Sequence, residues 1–408
     1  MEFTGKLFRR RILDMVRASE PGAPRCAHAP PAGQCGGCAF QDRSYQAQLA
    51  AKRTALGELW AGDLPGDLLA ALDVVASPSP FAYRTRMDYV ASKERFGLRR
   101  GGKFNYIVDL AECHLLPPHA FAAARAIYER AMALGLPDYN LRSHEGFLRY
   151  VIVRRSPDDQ LLLAVVTAAP DTAGVYAAAI EQLAAPALAL PGVLGFHWLV
   201  NATRTDLSSG IPERSWGRAT LPMRVGEYTL EIGPDTFFQN NVWLLMPLLE
   251  AVRSAVAAGG GARPGSIADL YGGVGTMALF VAGQAERVVC VEAVAGSARL
   301  ARQNIARAGA GHVEMVEADV ADFVRAQAPG SYDIVIADPP RTGLGPDVCR
   351  ALLQLRPRRI IYVSCNPLTQ RDDARALASG YRISSLQGYD MFPQTPHLES
   401  LAVFDMEH

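Results

Sequence analysis

Cys365 stands in the run Ser364-Cys-Asn-Pro367, directly behind the apolar stretch 360–363. A thiol at the end of a buried strand, between a serine and an asparagine and ahead of a proline stop, faces the cleft where substrates bind; as a thiolate it is a nucleophile. Cys290 and Cys349 lie inside apolar elements and read as small core hydrophobes. Cys26, Cys35, Cys38 and the distant Cys113 offer four sulfurs with no obvious histidine partner, a set that by spacing suits zinc or an iron–sulfur cluster equally. Seven cysteines in all is an odd count. The first residues, MEFTGKLFRRR, lack the apolar stretch of a secretory signal, so metal or catalytic roles fit better than a disulfide scaffold.

Three further motifs could build a site. In Asp269-Leu-Tyr-Gly-Gly-Val-Gly-Thr276 a strand runs into a glycine turn, which lets backbone amides approach a nucleotide-like ligand. Glu292, ending the next strand, is placed to accept hydrogen bonds from ribose hydroxyls, and Asp319 after the third strand could hold an adenine. The turn lacks the full glycine fingerprint of dinucleotide sites and no place for a pyrophosphate is evident, so S-adenosylmethionine is favoured over a nicotinamide dinucleotide. Asp338-Pro-Pro-Arg341-Thr-Gly343 follows another apolar strand; its two prolines stiffen the loop and its acid can orient a bound molecule. Glu399, after Pro393-Gln-Thr-Pro-His-Leu398, is a carboxylate in short apolar surroundings, where a raised pKa would suit proton transfer.

The elements that must carry these residues alternate. Strands are expected at 266–270, 287–291, 312–317, 333–337, 359–364 and 401–404, with helices at 277–282 and 295–308. That pattern predicts an α/β, Rossmann-like, mostly parallel doubly wound sheet with ligands at the carboxyl ends of its strands. From about 72 to 236 the pattern changes to α+β: a hairpin over 150–154 and 161–167, strands at 196–200 and 228–232, and helices at 117–134 and 171–183. Ahead of it lie a cysteine loop at 26–38 and a helix at 45–60. Three regions are therefore expected: 1–71, 72–236 and 237–408.

At 49% hydrophobic and 20% charged residues the chain is globular, and the apolar run 183–200 is broken by Pro186, Pro191, Gly192 and Gly195, against a membrane span. A cytoplasmic monomer without membrane partners is the expectation. Net charge is zero, so nucleic-acid binding must rest on a local patch. Between residues 84 and 103, seven Lys and Arg residues face two acids, a net of +5, which reads either as an RNA-facing surface or as ordinary solvated surface.

Taken together, Phe237-Phe-Gln239-Asn240, Asp269-Leu-Tyr271, Asp338-Pro-Pro-Arg341, Ser364-Cys-Asn-Pro367 and Phe392-Pro…His397-Leu-Glu399 resemble the RNA 5-methyluridine methyltransferases. The likeness continues upstream in Cys35-Gly-Gly-Cys38 with Gln41, Tyr45 and Gln48, and in Tyr83-Arg84…Arg86 leading to Val108-Asp-Leu…Cys113. The resemblance implies a class I methyltransferase domain, with Gln239, Tyr271, Thr276, Glu292, Asp319 and Asp338 at the S-adenosylmethionine site. It implies that Cys365 is the covalent nucleophile and Glu399 the base, and that Cys26, Cys35, Cys38 and Cys113 hold a [4Fe-4S] cluster. The implied substrate is structured RNA, with 23S rRNA ahead of tRNA. Two departures stand out. Gly272-Gly273 replaces the usual Cys-Gly, and the residues ahead of Cys26 are too few for the RNA-binding β-barrel (the TRAM domain) with which several relatives begin.

The implied chemistry accounts for the residue types. Carbon 5 of uracil is too weak a nucleophile to take a methyl group unaided. Addition of a thiolate to carbon 6 makes it an enolate carbon, and a base must then remove its hydrogen before the thiolate can leave. An amino-methyltransferase shares the Asp-Pro-Pro motif but needs no such cysteine. A nicotinamide dehydrogenase lacks a pyrophosphate fingerprint here, and a non-catalytic RNA-binding protein has no need of Cys365 and Glu399. The base must also leave its stack, which costs least in loops and bulges of structured RNA.

Overall fold

The computed structural model describes residues 4–170, 174–258 and 263–407. They form two compact units, Met1–Pro21, Arg43–Pro78 and Trp243–His408 in one, Gly22–Asp42 and Ser79–Val242 in the other. The region 1–71 is thus divided, its cysteine loop lying in the second unit and its helix Tyr45–Trp60 in the first. No helix among the described residues is long and apolar enough to cross a membrane.

The first unit is built on an eight-stranded sheet. Its order is Val74–Val75, Tyr381–Tyr389, Glu399–Met406, Arg359–Ser364, Ile334–Ala337, Ser266–Leu270, Arg287–Glu292, Val313–Glu317. Ile334–Ala337 and Arg359–Ser364 are buried along their whole length, which is why they read as continuous Val/Ile runs. Among the described strands of this sheet, Glu399–Met406 is the one antiparallel to both neighbours. The strand order reverses beside Ser266–Leu270, and a crevice for ligands forms at such a switch point. Helices Leu245–Ala257, Gly345–Leu355, Pro367–Leu377 and Val320–Arg325 and the strand Tyr381–Tyr389 also belong to the unit; apart from the helix around Cys349, none of them was marked in the sequence pattern.

Two N-terminal helices belong to this unit, α1 (Gly5–Arg17) and α2 (Tyr45–Trp60). Thr4 caps α1, accepting from the Leu7 N–H, and Phe8, Ile12 and Val16, spaced four apart, are its buried stripe. On α2, Lys52 is fully buried. Its Nζ donates to Asp390 Oδ1 at 2.5 Å and to the Phe392 carbonyl at 3.2 Å. Gln48, one turn earlier, exchanges two hydrogen bonds with Gln394, through its Nε2 to Gln394 Oε1 and from the Gln394 N–H to its own Oε1. Gln394 sits at φ 68°, a left-handed backbone that a non-glycine residue adopts at a cost of about 1–2 kcal/mol. The helix thus clamps the loop leading to Glu399.

The second unit carries a seven-stranded sheet in the order Lys103–Asp109, Phe96–Arg100, Arg86–Ala91, Leu148–Arg155, Leu161–Thr167, Val193–Val200, Ile211–Gly217. The hairpin Leu148–Arg155/Leu161–Thr167 is antiparallel. Helix Val175–Leu188 crosses over to Val193–Val200, which pairs parallel to Leu161–Thr167. This helix continues two residues past Pro186, and the earlier start expected at 171–173 falls outside the described residues. It packs with Pro118–Ala133 on the sheet face bearing Tyr89, Val151, Val153, Leu163, Val165 and Trp198. Tyr228–Ile232 forms a separate ribbon with Leu221–Val225.

The Lys52–Asp390 pair supplies a stability test. Lys52→Met leaves a carboxylate buried without its partner, an arrangement that costs about 3–5 kcal/mol. The double substitution Lys52→Met/Asp390→Leu should recover most of that loss in a urea melt, while Lys52→Met alone should not.

Candidate active site

Two loops meet at the carboxyl end of the first unit's sheet because of strand register. Ser364 pairs with Ser400 and Val363 with Leu401, so the next step of the ladder sets Cys365 beside Glu399. Gln370, on the helix after Cys365, pins this junction. Its Nε2 donates to the Tyr362 carbonyl at 2.8 Å, and its Oε1 accepts from the Ser400 hydroxyl at 2.7 Å. Asn366 Nδ2 donates to the Arg341 carbonyl at 2.9 Å and ties the cysteine loop to the Asp338-Pro-Pro-Arg341 loop. That second loop is held by Asp373, whose carboxylate accepts from the Leu344 and Gly345 amides and from the Tyr362 hydroxyl. Gly343 has φ 79°, and a Cβ there would lie 2.5 Å from Asp373 Oδ2, so the loop has room for glycine alone. Sequence reasoning missed Lys52, Gln370 and Asp373. Nothing in their local pattern separates them from helix-surface residues.

Electrostatics follow from burial. Cys365 is part-buried, and desolvation, then Glu399 and Asp338, push its thiol up to about 12, with Arg341 acting the other way. Glu399 is 2% exposed, and burial with Asp338 nearby raises its carboxyl well above the usual range, again opposed by Arg341. Cys365 therefore keeps its proton in this state at neutral pH, and at Glu399 burial favours the protonated form.

The glycine turn is braced from within. Asp269, 1% exposed, accepts from the Ala278 N–H at 2.9 Å. Glu292 Oε2 accepts from the Gly273 N–H at 3.0 Å and Oε1 from the Val294 N–H at 2.7 Å, so its remaining lone pairs are those open to ribose hydroxyls. Tyr271 is left-handed at φ 60° and part-exposed over the turn; burial, and then Asp319, push its phenol up to about 12. Asp319 caps Val320–Arg325, accepting from the Asp322 N–H. Thr276 opens helix Thr276–Val281 behind Gly275. A Cβ at Gly272 would come 2.3 Å from Cys290 Sγ, so the Cys-to-Gly departure is matched by a sulfur on the adjacent strand. Tyr271, Thr276, Glu292, Asp319 and Asp338 all belong to the first unit, whereas Gln239 belongs to the second, where the Thr85 hydroxyl donates to its carbonyl.

In the second unit the thiols of Cys26, Cys35, Cys38 and Cys113 line one enclosed cavity. Gln41 bridges two of these residues: its Oε1 accepts from the Cys26 N–H, and its Nε2 donates to Cys38 Sγ at 3.2 Å. A Cβ at Gly36 would lie 2.7 Å from the Arg99 carbonyl and one at Gly37 2.6 Å from Leu98, which explains the paired glycines. Burial pushes Cys35 and Cys38 up to about 12, so as free thiols they keep their protons at neutral pH. The Tyr89 hydroxyl is buried and hydrogen-bonds Cys113, and the buried Arg84 guanidinium lies near Cys38 and Cys113. A buried positive charge beside thiols fits a bound anionic group.

The segment 84–103 carries less free charge than its net of +5 suggests. Arg84 is buried near Cys38 and Cys113; Arg86 pairs with Asp88 and Asp235, and Arg99 with Asp206. Arg95 and Arg100 lie over the Tyr106 ring. Asp206, which neutralises Arg99, and Asp235, the second partner of Arg86, come from distant sequence, which a local tally omits.

The sheet order with one reversed strand, the glycine turn and the acid ending the next strand are those of a class I S-adenosylmethionine-dependent methyltransferase. Residues 213–406 match the family model described as tRNA (Uracil-5-)-methyltransferase. The chain is 32% identical over 373 residues to the tRNA (uracil(54)-C(5))-methyltransferase of Pyrococcus horikoshii, covering 91% of this chain and 83% of that protein. An uncharacterised RNA methyltransferase of Nitratidesulfovibrio vulgaris is also 32% identical, over 93% of this chain and 82% of its own length. The crystal structure of the Pyrococcus abyssi tRNA (uracil-54, C5)-methyltransferase in complex with S-adenosyl-L-homocysteine superposes with TM-score 0.72 and 29% identity, covering 91% of this chain and 86% of that one. The chain belongs to the S-adenosylmethionine-dependent RNA (uracil-C5)-methyltransferases.

Asp269 makes this unit's stability depend on pH. Burial, then Asp338 and Glu292, raise its carboxyl from 3.8 to about 7. The folded state then keeps a proton that the unfolded state loses, so this contribution is complete below pH ~4 and is lost as pH rises through ~7. Asp269→Asn should flatten the fall in thermal midpoint between pH 4 and 7, seen by calorimetry at a series of pH values.

Proposed function

We propose that this enzyme methylates carbon 5 of one uridine in structured RNA through a covalent adduct of Cys365 with carbon 6 of the base. The observation that carries the proposal is the ladder register that sets a part-buried thiol beside a buried carboxylate. Cys365 loses its proton to solvent, and attack of the thiolate forms the S–C6 bond and moves the C5=C6 electron pair into an enolate, which makes carbon 5 nucleophilic. When bound, S-adenosylmethionine supplies an electrophilic methyl group on a sulfonium whose positive charge favours the ionised forms of both acids. Glu399 then takes the hydrogen of carbon 5; the C5=C6 bond re-forms, the S–C6 bond breaks and the thiolate is released. Arg341, which already opposes the raised pKa values of Cys365 and Glu399, favours the charged forms each step needs. Tyr271, Thr276, Glu292, Asp319 and Asp338, with Gln239, are the residues we assign to the cofactor site.

Cys26, Cys35, Cys38 and Cys113 are proposed to hold a [4Fe-4S] cluster, with Arg84 and Tyr89 donating toward its sulfurs and Arg84 offsetting its negative charge. Since the cluster would join the loop 22–42 to the sheet of the second unit, its role is structural or RNA-positioning. The unit carrying it is proposed to bind RNA. Among targets, uridine 54 of tRNA is supported by the relatives whose names specify a substrate. A uridine of 23S rRNA, the target the sequence resemblance implies, is the second reading. Labelled methyl transfer into unmodified tRNA and rRNA transcripts, followed by mapping of 5-methyluridine, separates the two.

The two acids should fail differently when replaced. Cys365→Ala should neither methylate nor crosslink, whereas Glu399→Gln should slow turnover by roughly 10²–10⁴ and accumulate a methylated protein–RNA adduct. RNA containing 5-fluorouridine should trap wild type in the same state. A denaturing gel with labelled RNA and labelled methyl donor reads all three; an adduct that persists in Cys365→Ala, or none from wild type on fluorinated RNA, defeats the mechanism. For the cluster, anaerobically purified Cys113→Ala should carry clearly less iron and weaker brown absorbance than wild type. Undiminished iron would remove Cys113 from the ligand set.

A further inference from the structure

Helix α1 reaches the cavity that holds the thiol. Phe8 and Arg9 line a cavity of about 220 Å³ together with Arg341, Cys365, Asn366 and His397. The placement is fixed by packing. Phe8 is 4% exposed, the Ile12 and Val16 stripe continues below it, and a Cβ at Gly5 would touch Leu368, just past the Ser364-Cys-Asn-Pro367 run.

Charge on this helix is one-sided. Arg11 is paired bidentately with Glu58, and Arg10 lies 3.7 Å from Asp14. Arg9 has no ion pair among the described residues; its Nε donates to the Gly5 carbonyl at 3.2 Å, which turns the side chain toward the first turn of the helix. Lys6 beside it is exposed and likewise unpaired among the described residues. No carboxylate lines the cavity, although Glu399 behind the thiol interacts with Arg341, so Arg9 is the wall's unpaired arginine and Arg341 faces it across the thiol. Such a wall suits an anion. A nucleotide drawn out of its stack brings one anion with it at a fixed distance, the phosphodiester next to its ribose.

We propose that α1 is part of the substrate site, with Arg9 binding the phosphodiester that adjoins the target uridine and Arg341 standing on its other side. The proposal rests on the uridine-C5 reading above and adds a contact that positions the nucleotide rather than acting on its base. Phe8 anchors the helix turn that presents Arg9, and Lys6 adds charge at the rim.

The test uses a synthetic stem–loop RNA containing the uridine that wild type methylates, either all-phosphodiester or with a neutral methylphosphonate at one of the two linkages flanking that uridine. Arg9→Ala should raise KM for the natural RNA roughly tenfold with little change in kcat. The salt dependence of its RNA binding should become shallower by about 0.7–0.9 in log–log slope. At one of the two linkages the methylphosphonate should weaken wild type by the same factor and leave Arg9→Ala unaffected, because charge and counter-charge belong to one contact. Arg9→Lys should restore the slope. Unchanged melting temperature and S-adenosylmethionine affinity in Arg9→Ala separate a lost contact from a disturbed fold. If the Arg9→Ala and methylphosphonate losses multiply at both linkages, or if the slope of Arg9→Ala equals that of wild type, the assignment is wrong although methylation by wild type stands. If wild type methylates no uridine at carbon 5, the functional reading itself falls.

Discussion

The antiparallel ladder between Arg359–Ser364 and Glu399–Met406 is the constraint on which the site depends. Every other described pairing in that sheet, except the ladder with Tyr381–Tyr389, is parallel, and parallel neighbours bring their carboxyl ends to the same edge. Reversal of one strand brings an amino end to that edge instead. Glu399, the first residue of its strand, therefore meets Cys365, which follows the last residue of its own. A shift of one residue would turn every side chain of the strand to the opposite face and carry Glu399 away from Cys365.

Around this junction the molecule holds loops by buried polar groups. Lys52 with Asp390, and Gln48 with Gln394, fasten the loop before Glu399, while Asp373 fastens the loop after Asp338. Each has specific partners, without which burial would be costly, although Asp390 Oδ2 has none among the described residues. Tyr271 and Gln394 are both left-handed non-glycine residues, one in the glycine turn and one in the loop before Glu399. Strain of this kind persists where neighbours over-determine the backbone, and α2 supplies that determination for Gln394.

Burial raises two sets of acids. At Cys365 and Glu399 it favours the protonated forms, with Arg341 opposing it. Around Cys26, Cys35, Cys38 and Cys113 it raises the thiols too, with the buried Arg84 opposing it at Cys38 and Cys113.

Much was legible in the sequence. Continuous apolar runs gave the strands at 266–270 and 359–364, the glycine turn gave the cofactor edge, and the residues flanking Cys365 set it apart from Cys290 and Cys349, both of which are buried. Helix α1 was also written there, in Phe8, Ile12 and Val16 at helical spacing, although a basic stretch of eleven residues hid it. The reversal of the strand beginning at Glu399 could not be read from its residues, because apolar alternation is the same in both directions. Nor could the neutralisation of Arg99 by Asp206, more than a hundred residues away. Local sequence determines which residues are buried and which can do chemistry. Which of them meet depends on strand direction and long-range ion pairs, and those exist only once the chain has closed on itself.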